Sequence, residues 1–489
     1  MSAVIDREQA VLERVPRELL IGGEWRPASG GGTLTVEDPA TGEGLVDVAD
    51  AQPQDALDAL SAAHAAQQAW GEHPPRERGE ILRRAYEEMV ERADELALLM
   101  TLEMGKSVAE SRGEILYAAD FLRWFGEEAV RIHGRYMVAG TGKGRILTMK
   151  QPVGPCVFVT PWNFPAAMGT RKIGPALAAG CTVVIKPAQQ TPLSMLALAD
   201  ILQRAGLPAG VLNLITSRSS SAVIKPLLED PRTRKLSFTG STEVGRALIA
   251  QSAGQVLRVS MELGGNAPFI VFADADLDAA VEGAMTAKMR NVGEACTAAN
   301  RLYVHETVAG DFAERLAARM GAMKIGRGTD DGVEVGPLID GAQRTKVTEL
   351  VEDAVSRGAS ALTGGAPLDG AGYFFQPTVL ADVPPDAELL KEEIFGPVAP
   401  VVPFSSEDEV IAAANDTEYG LVAYVFTRDL DRALRVCERL QTGMIGLNQG
   451  IVSNAAAPFG GVKQSGFGRE GGFEGIEEYL ETKYVAVAL

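Results

Sequence analysis

Through the middle of the chain, short apolar runs alternate with stretches of helical spacing. The runs are PCVFVT (155–160), TVVIKP (182–187), VLNLI (211–215), KLSFTG (235–240) and VLRVSMEL (256–263). The helical stretches between them cover 166–179, 192–205, 219–229 and 241–253. Continuous apolar strands separated by helices predict a parallel sheet covered on both faces. Such sheets bind ligands beyond the carboxyl ends of their strands. A second series starts at APFIVF (267–272). It continues through a helix near 276–291, the run RLYVH (301–305), a helix near 307–321 and strand–helix pairs to about 448, which predicts a second α/β lobe.

Upstream, residues 1–50 read as an irregular arm with short strands. Helices are expected over 53–70, from Pro74-Pro75 through Leu96, and over 107–131. In the second of these, Ile81, Leu82, Ala85, Met89, Val90 and Ala93 keep helical spacing. RILTMKQPVG (145–154) alternates as a β-arm, and the tail EEYLETKYVAVAL (477–489) is β-rich.

Composition narrows the function classes. A chain of 489 residues has room for about three domains, and 46% apolar with 23% charged residues is a globular balance. The formal charge of −19 argues against nucleic acid and against anionic membrane surfaces as partners. No apolar run reaches the ~18 residues of a membrane span. MSAVIDREQAVLERVPREL lacks a signal-peptide pattern, so a soluble, cytoplasmic protein is expected. Four Cys and four His lie dispersed, which disfavours a disulfide framework and a zinc hydrolase, so no metal is expected. Glycine is in surplus, 53 residues against a ~7% norm. Being costly inside helices and strands, it belongs where backbone turns sharply or approaches something closely.

Candidate chemistry lies in a few segments. Gly140, Gly142 and Gly144 precede a strand rather than a helix, so they read as a turn. FTGSTEVG (238–245) follows a strand and opens a helix. There Gly240 exposes backbone, and Ser241 either caps the helix or meets a phosphate oxygen. Cys156, Cys181 and Cys437 read as small buried hydrophobes. Cys296, in the polar segment NVGEACTAANR, is a candidate nucleophile without a neighbouring His. Glu262 ends an apolar strand before Gly264-Gly265, as a general base with a burial-raised pKa or as a capping acid.

Taken together, TPWNFP (160–165), KPA (186–188), FTGSTEVG (238–245), MELGGNAP (261–268), GEACTAANR (293–301), EEIFGP (392–397) and PFGGVKQSGFGRE (458–470) resemble the aldehyde dehydrogenase superfamily in order and spacing, over nearly the whole chain. The resemblance implies an α/β fold of two Rossmann-like parallel-sheet lobes plus a β oligomerisation arm. A cofactor-binding domain would span 1–129 and 150–261 and a catalytic domain 262–457. The arm and C-terminal strand would span 130–149 and 458–489, giving a homodimer or homotetramer. The implied catalytic residues are Cys296 as nucleophile, Glu262 as the base that activates water, and Asn163 as oxyanion donor with the Cys296 N–H. The implied cofactor is NADP or NAD. It would be held by Thr160, Trp162, Asn163, Lys186, Gln189, Gly240, Ser241, Leu263, Glu393 and Phe395. Gln189 stands where NAD-preferring members often have Glu, so NADP is expected to be accepted.

Within the superfamily the chain looks most like the succinate-semialdehyde dehydrogenase branch. That implies a small-molecule semialdehyde substrate whose distal carboxylate is gripped by Arg171, Arg290 and Ser453. Three positions depart from the branch. Ala298 replaces a second Cys, which removes a local disulfide switch. Glu294 replaces Gln, and either raises the thiol's pKa or faces away. TSRSSS (216–221) replaces a Gly-rich stretch near the adenine end. A CoA-acylating enzyme, or a non-catalytic protein on the same fold, are the competing readings; Glu262 speaks against the first and intact Cys296, Glu262 and Asn163 against the second.

Overall fold

The computed structural model describes residues 2–488. Cys156–Val159 and Val183–Lys186 are buried at every position and pair in parallel. Burial on both faces requires helices on both sides of the sheet, which is why these strands read as unbroken apolar runs. The sheet has eight strands in the spatial order Gly466–Phe467, Arg258–Glu262, Lys235–Thr239, Cys156–Val159, Val183–Lys186, Leu212–Leu214, Leu19–Ile21, Glu24–Arg26. The five in the middle are parallel, and the outer strands add antiparallel. Ala167–Ala179, Leu193–Arg204, Ser220–Glu229 and Thr242–Ser252 are the crossover helices. The first is buried at every residue and stops at Gly180, whose left-handed φ of 92° a side chain would resist.

A seven-stranded sheet follows, in the order Ser360–Thr363, Thr378–Ala381, Val398–Phe404, Ala299–His305, Ala267–Val271, Val422–Phe426, Met444–Leu447. It is parallel except at the Ser360–Thr363 edge. Arg135–Val138, Arg145–Pro152 and Leu480–Val487 form a separate antiparallel arm. The architecture is therefore the expected α/β one. No helix among the described residues is long and apolar enough to cross a membrane.

Three elements differ from the sequence expectation. Residues in the expected irregular arm include a helix, Ser2–Arg14. The helix expected to run through Leu96 breaks at Arg92 (φ −96°, ψ 15°) into Pro75–Glu91 and Ala93–Met104. Both pieces bury residues at helical spacing, so the apolar period alone does not reveal the break. The stretch 458–489 divides: Gly466–Phe467 closes an edge of the large sheet, and only Leu480–Val487 joins the arm. Pairing partners lie far away in sequence, beyond the reach of local alternation.

Candidate active site

Three neighbouring strands of the large sheet deliver the site. Cys156–Val159 runs into Thr160-Pro161-Trp162-Asn163, Lys235–Thr239 into Gly240-Ser241, and Arg258–Glu262 into Leu263-Gly264. Beyond their ends lies a cleft of about 220 Å³, where Trp162, Asn163, Gly240, Ser241, Leu263, Cys296, Glu393 and Phe395 come together. Trp162 and Phe395 meet edge to face, with centroids 5.3 Å apart. Ser241 caps the helix Thr242–Ser252, accepting the Val244 N–H at 3.4 Å. Thr160 is buried, and its Oγ1 has no hydrogen-bond partner among the described residues. Lys186 is buried too; burial draws its ammonium down to about 8, against the pull of Asp50. Gln189 opens into a different cavity, shared with Gln190 and Arg218.

Cys296 follows a strained turn. Asn291, Val292 and Gly293 all adopt left-handed φ, 54°, 56° and 77°. For a β-branched residue such as Val292 this conformation is held only by its surroundings. A Cβ on Gly293 would stand 2.2 Å from the Gly396 carbonyl, and one on Gly265 would stand 2.4 Å from the carbonyl of Cys296 itself. The turn therefore packs its backbone directly on two other chain segments.

Asn163 is fixed from several sides. Its Nδ2 donates to the Glu294 carbonyl at 3.0 Å, and its Oδ1 accepts the Phe164 N–H at 3.1 Å. Its own carbonyl accepts Lys106 Nζ at 2.8 Å and Asn291 Nδ2 at 3.0 Å. Lys106 pairs with Glu114 at 2.5 Å, both about 1% exposed, and the other Glu114 oxygen accepts the N–H groups of Ala166 and Ala167.

Burial dominates the electrostatics. It pushes the Cys296 thiol up to about 12, helped by the Glu393 charge and opposed by Arg171 and Arg290. Glu262 is held well above the usual carboxylate range by burial and then by Glu470, and its Oε2 has no hydrogen-bond partner among the described residues. Glu393 is raised to about 7, although its Oε1 accepts the Gly265 N–H at 3.0 Å. The Glu294 side chain turns to the backbone of another segment: its Oε1 accepts the Ile339 N–H at 3.1 Å, and burial holds its pKa well above the usual carboxylate range.

A second cavity, of about 330 Å³, includes Tyr117, Phe164, Arg290 and Ser453; the consecutive residues Asn163 and Phe164 line the cleft and this cavity respectively. Arg290 Nη1 donates to Ser453 Oγ at 2.9 Å, and the guanidinium lies 4.8 Å from the Phe164 centroid. Arg171 sits one layer deeper, 1% exposed. Its Nε is 3.2 Å from Glu470, its Nη2 donates to Tyr117 OH at 3.0 Å, and its guanidinium lies 4.0 Å from the Phe459 centroid. Glu470 also accepts from Lys172.

A model of the aldehyde dehydrogenase family matches residues 25–485. The chain belongs to this family. It is 60% identical over 444 residues to the succinate-semialdehyde dehydrogenase of Paenarthrobacter nicotinovorans, covering 91% of this chain and 99% of that one. It is 52% identical over 473 residues to the glutarate-semialdehyde dehydrogenase of Pseudomonas putida, covering 97% and 98%. The crystal structure of an NADP-dependent enzyme of E. coli superposes with a TM-score of 0.96 at 52% identity, covering 97% of this chain and 98% of that one.

In this aldehyde dehydrogenase the expected site residues fall into three places: the cleft around Cys296, the cavity at Arg290 and Ser453, and the cavity at Gln189. Glu262, Thr160, Lys186 and Arg171 lie beneath these surfaces. Sequence reasoning missed Lys106, Glu114 and Asn291, which orient Asn163, and Glu470, which neutralises Arg171. Lys106 and Glu114 flank a helix start at Val108, where charged residues are ordinarily solvated, so no local pattern marks the pair as buried. Glu470 ends the segment PFGGVKQSGFGRE, and that segment was the available signal.

Proposed function

We propose that this aldehyde dehydrogenase oxidises succinate semialdehyde, or a close ω-semialdehyde such as glutarate semialdehyde, to the dicarboxylate with NADP or NAD. The observation that carries the reading is the place of Cys296 in the cleft, next to the cavity of the Arg290–Ser453 pair: the consecutive residues Asn163 and Phe164 line one each, and Arg290 is near enough to act on the Cys296 thiol. An aldehyde carbon at Cys296 would leave an ω-carboxylate on the side of that pair. A planar guanidinium with a hydroxyl beside it suits such a group. Relatives named for succinate and glutarate semialdehydes support the same class.

The residues divide the work as follows. Cys296 Sγ bonds to the aldehyde carbon, and the former carbonyl oxygen takes the charge. Asn163 Nδ2 and the Cys296 N–H donate to that oxyanion, contacts typically worth ~3–4 kcal/mol of barrier each. When bound, the nicotinamide would supply the hydride acceptor. Loss of hydride leaves a thioester on Cys296. Glu262 takes a proton from water as the water oxygen attacks the thioester carbonyl, and the C–S bond breaks to release the acid and the Cys296 thiolate, while Glu262 passes its proton to solvent. Gly240 and Ser241 would meet the pyrophosphate at the helix start, Thr160 and Leu263 would line its path, and Lys186 and Gln189 would meet the adenosine ribose. Glu393, Phe395 and Trp162 would hold the nicotinamide end. Arg171 supports the carboxylate grip from behind Tyr117. The exposed Tyr136, Met137, Val138 and Tyr484 of the arm fit a second copy of the chain, giving a dimer or a dimer of dimers.

The test is a panel of four- and five-carbon semialdehydes and uncharged aldehydes of equal length, with NAD and with NADP, followed by absorbance of the reduced nicotinamide. A higher kcat/KM on the semialdehydes is expected. Equal or better turnover of the uncharged aldehydes overturns the substrate reading, and no reduction with any aldehyde overturns the activity.

A further inference from the structure

We propose that Arg218 is a ligand for the 2′-phosphate of NADP, seated in the cavity that Arg218 shares with Gln189; this rests on the dinucleotide reading above. The cavity measures about 290 Å³ and lies off the main cleft. It is bounded by the segments that leave two adjacent parallel strands, Val183–Lys186 and Leu212–Leu214. The first segment carries Lys186 and Gln189, the second Thr216, Ser217 and Arg218. The two therefore emerge side by side at the carboxyl edge of the sheet, where such sheets bind nucleotides.

The loop that carries Arg218 is anchored. Thr216 Oγ1 donates to the Ala49 carbonyl at 2.5 Å, Ser217 Oγ to Asp50 Oδ1 at 3.2 Å, and the Arg218 N–H to the same oxygen at 2.9 Å. Asp50 also raises the charge-holding tendency of Lys186. One carboxylate thus ties the Arg218 backbone to the neighbourhood of the lysine. The guanidinium itself is exposed, and its single side-chain hydrogen bond among the described residues is to the Thr33 carbonyl, at 3.2 Å. Most of its five N–H donors remain available.

The acids lining the cavity are already engaged. Glu37 accepts from Tyr373 OH. Glu103 accepts the N–H groups of Leu193 and Ser194, and burial lifts it to about 8, so it is largely neutral at pH 7. Asp340 caps the helix Gly341–Ser356, taking the Gln343 N–H at 2.8 Å. Gln189 adds an amide without charge. A dianion entering here meets the remaining donors of the Arg218 guanidinium and the uncharged Gln189 amide, with the Glu37 and Asp340 carboxylates turned to their own donors, Tyr373 OH and the Gln343 N–H; a guanidinium fork with an uncharged amide in the same cavity favours a phosphate over a hydroxyl. The helix Ser220–Glu229 begins just after Arg218, and its N-cap Ser219 makes no side-chain cap bond, which leaves its positive end unspent.

Calorimetric titration with 2′,5′-ADP and with 5′-AMP tests this on the intact enzyme without any turnover. The native protein is expected to bind 2′,5′-ADP more tightly than 5′-AMP. Arg218→Ala should weaken 2′,5′-ADP by about tenfold or more, the scale of a charge-assisted bidentate contact, while leaving 5′-AMP unchanged. Arg218→Lys should recover part of the loss, and Gln189→Glu should weaken 2′,5′-ADP selectively. Unchanged 2′,5′-ADP affinity in Arg218→Ala overturns the proposal, as does an equal loss for both nucleotides. If the native protein binds 5′-AMP but gains nothing from the 2′-phosphate, the proposal falls and the dinucleotide reading stands. If it binds neither, the dinucleotide reading falls with it.

Discussion

The Asn163 side chain donates to the backbone carbonyl of Glu294, two residues before Cys296, at 3.0 Å. The proposed oxyanion donor is thereby tied, across 131 positions of sequence, to the segment that leads into the proposed nucleophile. Asn291 Nδ2 reaches the same Glu294 carbonyl at 2.9 Å and the Asn163 carbonyl at 3.0 Å, closing the link from the other side.

Because Asn291 keeps its bonds to the Glu294 and Asn163 carbonyls, removing the Asn163 side chain should cost rate more than folding. Asn163→Ala is expected to lower kcat by about 10²–10³-fold, the usual loss for one oxyanion donor. Steady-state kinetics beside an unchanged circular dichroism spectrum would check this.

Glu262→Gln should separate the two halves of the reaction. The amide keeps the shape but cannot take a proton from water. A burst of reduced nicotinamide, one per active site, is expected to survive, while steady turnover falls by about 10²–10⁴-fold. Rapid-mixing absorbance measures both. Because burial and Glu470 raise the Glu262 pKa, the base form gains population only above the ordinary carboxylate range. Deacylation should accordingly go on quickening as pH rises past the range in which an ordinary carboxylate has already lost its proton.

The thiol makes a second pH prediction. With Cys296 held up to about 12, the cofactor-free enzyme has little thiolate at neutral pH. Since the thiolate is the reacting form, iodoacetamide alkylation should rise roughly tenfold per pH unit between pH 7 and 10. Mass spectrometry of the Cys296 peptide would show it. Ala298 offers no partner sulfur two residues on, so peroxide should oxidise Cys296 without forming a disulfide to that position.

Arg290→Ala should impair succinate semialdehyde far more than an uncharged aldehyde, through KM above all, because its guanidinium reaches Ser453 at the cavity surface. Arg171→Ala should behave differently. Arg171 is buried against Glu470, which keeps Lys172 as its other partner, so its loss removes one of two buried cations from that carboxylate and is expected to cost about 1.5–3 kcal/mol of stability. Thermal melts beside kinetics on both aldehydes distinguish the two arginines.

Gly265→Ala should be inactive or poorly folded, since the new Cβ would stand 2.4 Å from the Cys296 carbonyl. The obstructing atom is backbone and not the end of a flexible side chain, so relief requires moving the nucleophile's turn, a strain of about 1–3 kcal/mol or more. A lowered melting temperature together with lost alkylation selectivity at Cys296 would register it.

The amino-acid sequence by itself determined the α/β class, the two strand–helix series and the short segments that hold Cys296, Glu262, Asn163, Gly240 and Glu393. Those features depend on local periodicity and on residues close together in the chain, where hydrophobic spacing acts directly. Tertiary structure decided the rest. It put Arg171 against Glu470, and it buried Lys106 with Glu114 behind Asn163. It sent Gly466–Phe467 to the large sheet and Leu480–Val487 to the arm, and it set Arg218 beside Gln189. Each of these relations joins distant segments, and each depends on burial, which a charged residue's own neighbours in sequence do not reveal. An arginine or a lysine looks alike in sequence whether water or a carboxylate balances its charge, and only the packed chain determines which.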